Sequence, residues 1–366
     1  MAQARASLLK RLWLFRSTAV VGSVVIALAV GLALWALYAW FGPSPVERTA
    51  AAFDSAWNSS PELTQRLLEA GGYGQRERLV LRANFDGALA FSGSLMELHP
   101  QRGYCFRPAQ QNLWVFPGGM PNQLLVPDTP AVREIIQQAG TRISSTERIN
   151  SLGCRGPEPG EASNYDFRVL VLGDSFAEGI LVAEADTFSS RLQTRLCEST
   201  GLSTLVVNSG VIGYSTEQEF FTLDELSPKL RPHVAILCFY ANDVHHDHQA
   251  VLSQNKAAGD WAAAQQWLER CAYFCRSNNI DFVVAVIPDR SQMASRTTRR
   301  LYQAKVEGIA VELGIYLVDP DERFLVHRRE QLWLEGDAHF SPAGHALFAE
   351  VLADHVRQWA PKRPPQ

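Results

Sequence analysis

From Asp166 onward the chain repeats one pattern: a short continuous apolar run, then a longer stretch with helical spacing. The apolar runs are 168–172, 204–207, 234–239, 281–287 and 315–318. The helical stretches are 187–197, 216–226, 260–277, 297–313 and 341–359, with Ser341 as cap and Pro342 at the first helical position of the last. Strands that are apolar throughout must be covered on both faces, and strands separated by helices run parallel. The spacing therefore predicts an α/β domain, a parallel sheet between helical layers. Ligands of such sheets bind beyond the carboxyl ends of the strands.

Polar residues gather at those ends. Gly173-Asp174-Ser175-Phe176 follows the first run, Asn208 to Gly213 the second and Asn242-Asp243 the third, while Asp337-Ala338-His339 precedes the last helix. A serine hydroxyl is a poor nucleophile until a base takes its proton, and His339 is the candidate base. Asp337, two residues earlier, can reach the Nδ1 of that histidine from a loop and hold its tautomer. The N–H groups of Ser175 and Gly213 and the amide of Asn242 are the candidate oxyanion donors, with Asn208 bracing the loop. Taken singly each motif is ordinary: Gly-Asp-Ser and Asn-Asp are common in turns, and an Asp and a His ahead of Ser341 are turn and cap chemistry. The ordered set points to acyl transfer. His245, His246 and His248, with Asp243 and Asp247, are too nearly adjacent to converge on a metal and read as a solvated loop. The aromatic residues of 261–274 fall at helical spacing and read as packing.

These four blocks resemble the SGNH (GDSL-type) serine hydrolase superfamily: Gly173-Asp174-Ser175-Phe176, Gly213 within 208–213, Asn242-Asp243, and Asp337-Ala338-His339 leading into Gly344-His345. The resemblance covers about 148–360, and the lead-in 149–156 is similar to a segment that precedes the serine in many bacterial members. It implies a three-layer α/β/α, flavodoxin-like parallel sheet and a triad of Ser175, His339 and Asp337. Ser175, Gly213 and Asn242 would form the oxyanion hole. It also implies esterase activity on lipids, acylated glycans or small acyl esters, with no metal and no organic cofactor. Two departures stand out. Tyr240 occupies the place of the usual glycine before Asn242, which would narrow the pocket, and the acid lies two rather than three residues before the histidine. The second variant resembles members related to alginate O-acetylation and leaves a polysaccharide O-acyltransferase open beside the esterase. A classical α/β-hydrolase is disfavoured, because its acid and histidine sit on separate loops. A non-catalytic envelope scaffold or binding subunit is the reading from another class.

The remaining sequence divides into 1–16, a cytoplasmic N-terminus; 17–41, a transmembrane signal anchor; 45–150, an accessory α+β region; and 151–360, the hydrolase domain. Residues 17–41 are uncharged and long enough to span a bilayer. Arg5, Lys10, Arg11 and Arg16 precede them, which places the N-terminus in the cytoplasm and the catalytic part in the periplasm of an inner membrane. Without those four, 30 basic residues face 38 acidic ones, so nucleic acid is not an expected partner. In the accessory region, 46–57, 61–70 and 130–139 read as helices, the last between Thr129 as cap and Gly140 as stop, and 76–116 as short strands. Of six cysteines, Cys105 and Cys154 flank the accessory region and are the candidate disulfide.

Overall fold

The computed structural model describes residues 62–71, 81–82, 89–90, 95–116, 124–244, 261–294 and 299–362. The expected membrane segment 17–41, the expected helix 46–57 and His245, His246 and His248 lie outside them. Among the described residues no helix is long and apolar enough to cross a membrane. Contacts divide the chain into Met1–Ala52 and Phe53–Gln366, and every described residue belongs to the second unit.

The accessory region begins with α1 (Glu62–Ala70) and two short antiparallel pairs, β1 (Leu81–Arg82) with β2 (Leu89–Ala90) and β3 (Met96–His99) with β4 (Gly103–Phe106). An antiparallel sheet follows, in which β5 (Gln110–Val115) lies between β6 (Leu124–Pro127) and β7 (Ile143–Ile149). Helix α2 (Pro130–Ala139) connects β6 to β7 with the expected ends. Thr129 Oγ1 accepts the Val132 N–H, and Gly140 closes the helix at φ +61°, a left-handed conformation that favours glycine. Leu67, Leu113, Val126, Val132 and Ile136 pack between these elements as a small separate core.

The larger part contains β8 (Phe167–Leu172), β9 (Thr204–Asn208), β10 (Val234–Phe239), β11 (Asp281–Val286) and β12 (Tyr316–Val318), with α3 (Ser175–Glu178), α4 (Phe188–Thr200), α5 (Thr216–Leu230), α6 (Trp261–Ser277), α7 (Arg299–Leu313), α8 (Asp321–Val326) and α9 (Pro342–Val356) between and after them. All five strands are parallel, in the order β12-β11-β10-β8-β9. The two-residue period of a strand explains the layers. Leu170, Leu172, Ala235 and Leu237 face one side and pack with Leu223, Leu226 and Leu268 of α5 and α6. Val169, Val171, Val234 and Ile236 face the other and pack with Leu192, Phe348 and Leu352 of α4 and α9. The result is the expected α/β/α sandwich, and its order reverses between β8 and β10, the place where such sheets bind ligands.

Hydrogen bonding continues from the accessory region into the sheet. Ile149 bridges to Arg155, and Arg155 in turn to Asn208 at the end of edge strand β9. The two cysteines expected to pair are unbridged. Cys154 is buried beneath the large sheet with Leu170 and Leu205, whereas Cys105 lies on β4 with its Sγ 4.0 Å from Glu97 Oε1, so the two thiols belong to different surroundings.

Candidate active site

Strand β8 ends at Leu172 and the chain turns at once. A Cβ on Gly173 would lie 2.5 Å from the Cβ of Ala177 and 3.1 Å from that of Cys238, so only glycine lets the turn nest between β10 and the next helix. Asp174 caps that helix, its Oδ1 accepting the Phe176 N–H at 2.8 Å, and Ser175 is the first helical residue. The turn places the Ser175 hydroxyl at the carboxyl end of the sheet, beside the point where strand order reverses.

His339 meets it there. Its Nε2 lies 2.7 Å from Ser175 Oγ, and its Nδ1 lies 2.6 Å from Asp337 Oδ1. The same carboxylate oxygen also accepts the backbone N–H of His339 at 2.8 Å, so the two-residue spacing is bridged twice. The turn that carries both residues is closed beneath them. Leu334 N–H donates to the His339 carbonyl at 2.9 Å, and Trp333 pairs with Phe340 as an isolated bridge. Phe176 packs against the imidazole with ring centroids 4.7 Å apart, which limits its rotation. With Nδ1–H given to Asp337, Nε2 is the acceptor, which is the state required of a base for Ser175.

The expected oxyanion donors lie on the adjoining loops. Asn242 belongs to a single 3₁₀ turn, Ala241–Asp243, and its Nδ2 donates to Asp174 Oδ2 at 2.7 Å. One amide hydrogen is thereby committed and the other is left to donate elsewhere. Gly213 has φ +72°. Neither its N–H nor that of Ser175 has a hydrogen-bond partner among the described residues. Asn208 braces the loop as expected, donating to the Ala177 carbonyl at 2.8 Å and Ser189 Oγ at 3.0 Å and accepting the Gly210 N–H at 3.0 Å. Tyr240, expected to narrow the pocket, is buried against Phe176, and its hydroxyl donates to Asp289 Oδ2 at 2.6 Å.

Several buried acids surround these loops; Asp174 and Asp243 stand within the sequence blocks already named, whereas sequence reasoning missed Glu219, Glu178 and Glu147. Burial raises the Asp174 carboxyl above its usual range, against its hydrogen bonds and the pull of His339. Burial and then the Asp174 charge push Asp243 up to about 7, although Tyr240 N–H and Thr216 Oγ1 both donate to it. Glu219 on α5 is raised well above the usual carboxylate range by burial and by Asp243 and Asp174. On the other side of Ser175, Glu178 and Glu147 are both fully buried and both raised, with burial the largest cause and Arg155 opposing it. Arg155 itself donates to the carbonyls of Glu178 at 2.7 Å, Gly179 and Val182 at 2.7 Å, gripping the chain just beyond the serine helix. The signal for Arg155 was the lead-in segment 149–156. Glu178 and Glu147 have no local signature, because a charge on a short helix or a strand ordinarily faces water.

Among the described residues, no cluster of three His, Cys, Asp or Glu side chains is arranged to hold a metal ion. A cavity of about 680 Å³ opens elsewhere, along β9, lined by Pro157, Tyr165, Arg191 and Arg195. It is lined by none of the three residues of the hydrogen-bonded chain at Ser175.

Residues 171–347 match the GDSL-like Lipase/Acylhydrolase family. No curated protein matches the chain. Among solved structures, TesA is 18% identical with a TM-score of 0.41, covering 52% of this chain and 99% of its own. A psychrotrophic esterase EstA from Pseudoalteromonas sp., in a form inhibited by monoethylphosphonate, is 14% identical with a TM-score of 0.41, covering 52% and 97%. The acetyl xylan esterase AlAXEase is 16% identical with a TM-score of 0.42, covering 52% and 100%.

Proposed function

We propose that this carboxylic ester hydrolase works through an acyl-enzyme on Ser175, with His339 as base and then acid and Asp337 as the orienting acid. The observation that carries the reading is the unbroken line from Ser175 Oγ through His339 to Asp337, with contacts of 2.7 and 2.6 Å. Ser175 Oγ attacks the ester carbonyl carbon while its proton passes to His339 Nε2. Negative charge collects on the former carbonyl oxygen, facing the N–H groups of Ser175 and Gly213 and the second amide hydrogen of Asn242. The tetrahedral adduct collapses, the alcohol leaves with the proton from His339, and water repeats the sequence to release the acid. The imidazolium formed in between is stabilised by Asp337, which stays ionised throughout.

The ester is proposed to be an acylated carbohydrate or lipid outside the cytoplasm. This rests on the uncharged stretch 17–41 and the basic residues ahead of it. The test is hydrolysis of p-nitrophenyl acetate, butyrate and octanoate by the full chain beside Ser175→Ala. Turnover that disappears in the variant supports the reading. Equal rates from the two proteins would refute Ser175 as nucleophile. Transfer of the acyl group to added glycan faster than to water would move the activity to the acyltransferase class at the same site.

A further inference from the structure

The Gly213 N–H belongs to a peptide unit whose other end is the Ile212 carbonyl. In a planar trans peptide the two point in opposite directions, so whatever fixes the carbonyl aims the N–H. Gly213 cannot do this itself. With no Cβ it tolerates either orientation of that peptide, and its φ of +72° is one choice among several open to glycine. The lock has to come from outside the loop.

It comes from the accessory region. Tyr104 on β4 donates its hydroxyl hydrogen to the Ile212 carbonyl at 2.6 Å, in a buried setting. Tyr104 is in turn held by the residue after Gly213: the Tyr214 hydroxyl donates to the Tyr104 carbonyl, and the two rings meet edge to face with centroids 5.4 Å apart. Ile212 is also pinned at its other end, its N–H donating to Glu178 Oε2 at 2.6 Å, three residues beyond Ser175. Val211, Ile212 and Tyr214 pack in one cluster with Tyr104, Phe106, Trp114 and Ile149 of the accessory strands.

We propose that Tyr104 is a positioning residue for the oxyanion hole. Its hydrogen bond to the Ile212 carbonyl aims the Gly213 N–H at the developing oxyanion, and it polarises the shared peptide so that this N–H becomes a stronger donor. The accessory strands thus complete the reactive centre without touching substrate. The inference rests on the reading of Gly213 as an oxyanion donor.

The test is Tyr104→Phe in the full chain, which removes one oxygen and keeps the ring. Loss of a whole oxyanion donor costs about 10²–10³ in kcat, so a misaimed one should cost about 10-fold or more, with KM within about threefold. Phe106→Leu loosens the same cluster while keeping the Tyr104 hydroxyl on the Ile212 carbonyl, and is the packing comparison. Its kcat should stay near wild type even where its Tm falls as far as that of Tyr104→Phe. Labelling of Ser175 by a fluorophosphonate, whose phosphoryl oxygen needs the same donors, should slow in parallel with kcat. Unchanged kcat and labelling in Tyr104→Phe overturn the proposal while Ser175→Ala still abolishes both. So does a loss in Phe106→Leu that tracks the same fall in Tm. Failure of wild-type Ser175 to react in either assay refutes the esterase reading itself, and this inference with it.

Discussion

Gly210 offers the sharpest test of the geometry, because substitution there alters no group that reacts. It lies on the loop after β9, and a Cβ at that position would fall 2.2 Å from the Glu178 nitrogen, 2.6 Å from the Ala177 carbonyl carbon and 2.8 Å from the Ala177 Cβ. Real Cβ contacts essentially never come under 3.0 Å. Gly210→Ala must therefore push the loop and the serine helix apart by about 0.8 Å at the closest contact. Two of the three obstructing atoms are backbone, so no side-chain rotation relieves the clash. Overpacking of this kind costs about 1–3 kcal/mol of stability. The rate should fall as well, since Ser175 rides on the helix and Gly213 on the loop, and a misplacement near 1 Å is worth about 10² in rate. The assay is kcat on p-nitrophenyl acetate beside thermal unfolding of the same preparation. A folded Gly210→Ala protein with kcat within threefold of wild type would show that the spacing between helix and loop does not govern the reaction.

Two further outcomes follow from the same geometry. Asn242→Ala should lower kcat by about 10²–10³ with little change in KM, because the amide acts on charge that exists only in the transition state; a rise in KM at constant kcat would instead make Asn242 a substrate-binding group. His345, whose Nδ1 accepts the Phe188 N–H at 3.2 Å, is driven down to about 3 by burial first and then by Arg155 and His339, from an ordinary value of 6.5. Between those values the unfolded chain binds a proton that the folded protein refuses, so stability falls as pH drops from about 6.5 towards 3. His345→Gln should flatten that acid slope in urea unfolding between pH 7 and 4.5, and an unchanged slope would rule out His345 as its source.

Burial set the limit of what could be read from sequence. The expected strand 234–239 is β10 as found, because six consecutive apolar residues, fewer than in the helical stretches on either side, fit a strand covered on both faces. The expected helix 216–226 continues to Leu230 through Pro228. Pro228 removes a helical hydrogen bond, yet Leu226 and Leu230 both enter the core, and their burial outweighs the missing bond. Ser175 was legible because it interrupts an apolar run at a strand end, and Asp337 and His339 because they stand together just before the cap of the last helix. The contacts of Asp174 with Asn242, Glu178 with Ile212 and Tyr104 with Ile212 were not, since they join positions 68, 34 and 108 apart. No periodicity links such positions, and only the folded sheet brings them together. The separation also hid the charges: Glu147 and Glu178 are ordinary surface residues until β7 and α3 are stacked on Arg155.

The turn that joins Trp333 to Phe340 has a mechanical consequence. Asp337 and His339 share one short closed segment, while Ser175 stands on another element 164 positions away. Any tilt of that segment carries acid and base together and, within the hydrogen-bonded chain, stretches the 2.7 Å contact to the hydroxyl alone. In the proposed mechanism the proton path therefore has one adjustable joint rather than two. A ligand or partner that shifted the segment would part Ser175 from His339 while leaving the contact between His339 and Asp337 intact, so the chain of hydrogen bonds would re-form as soon as the segment returned.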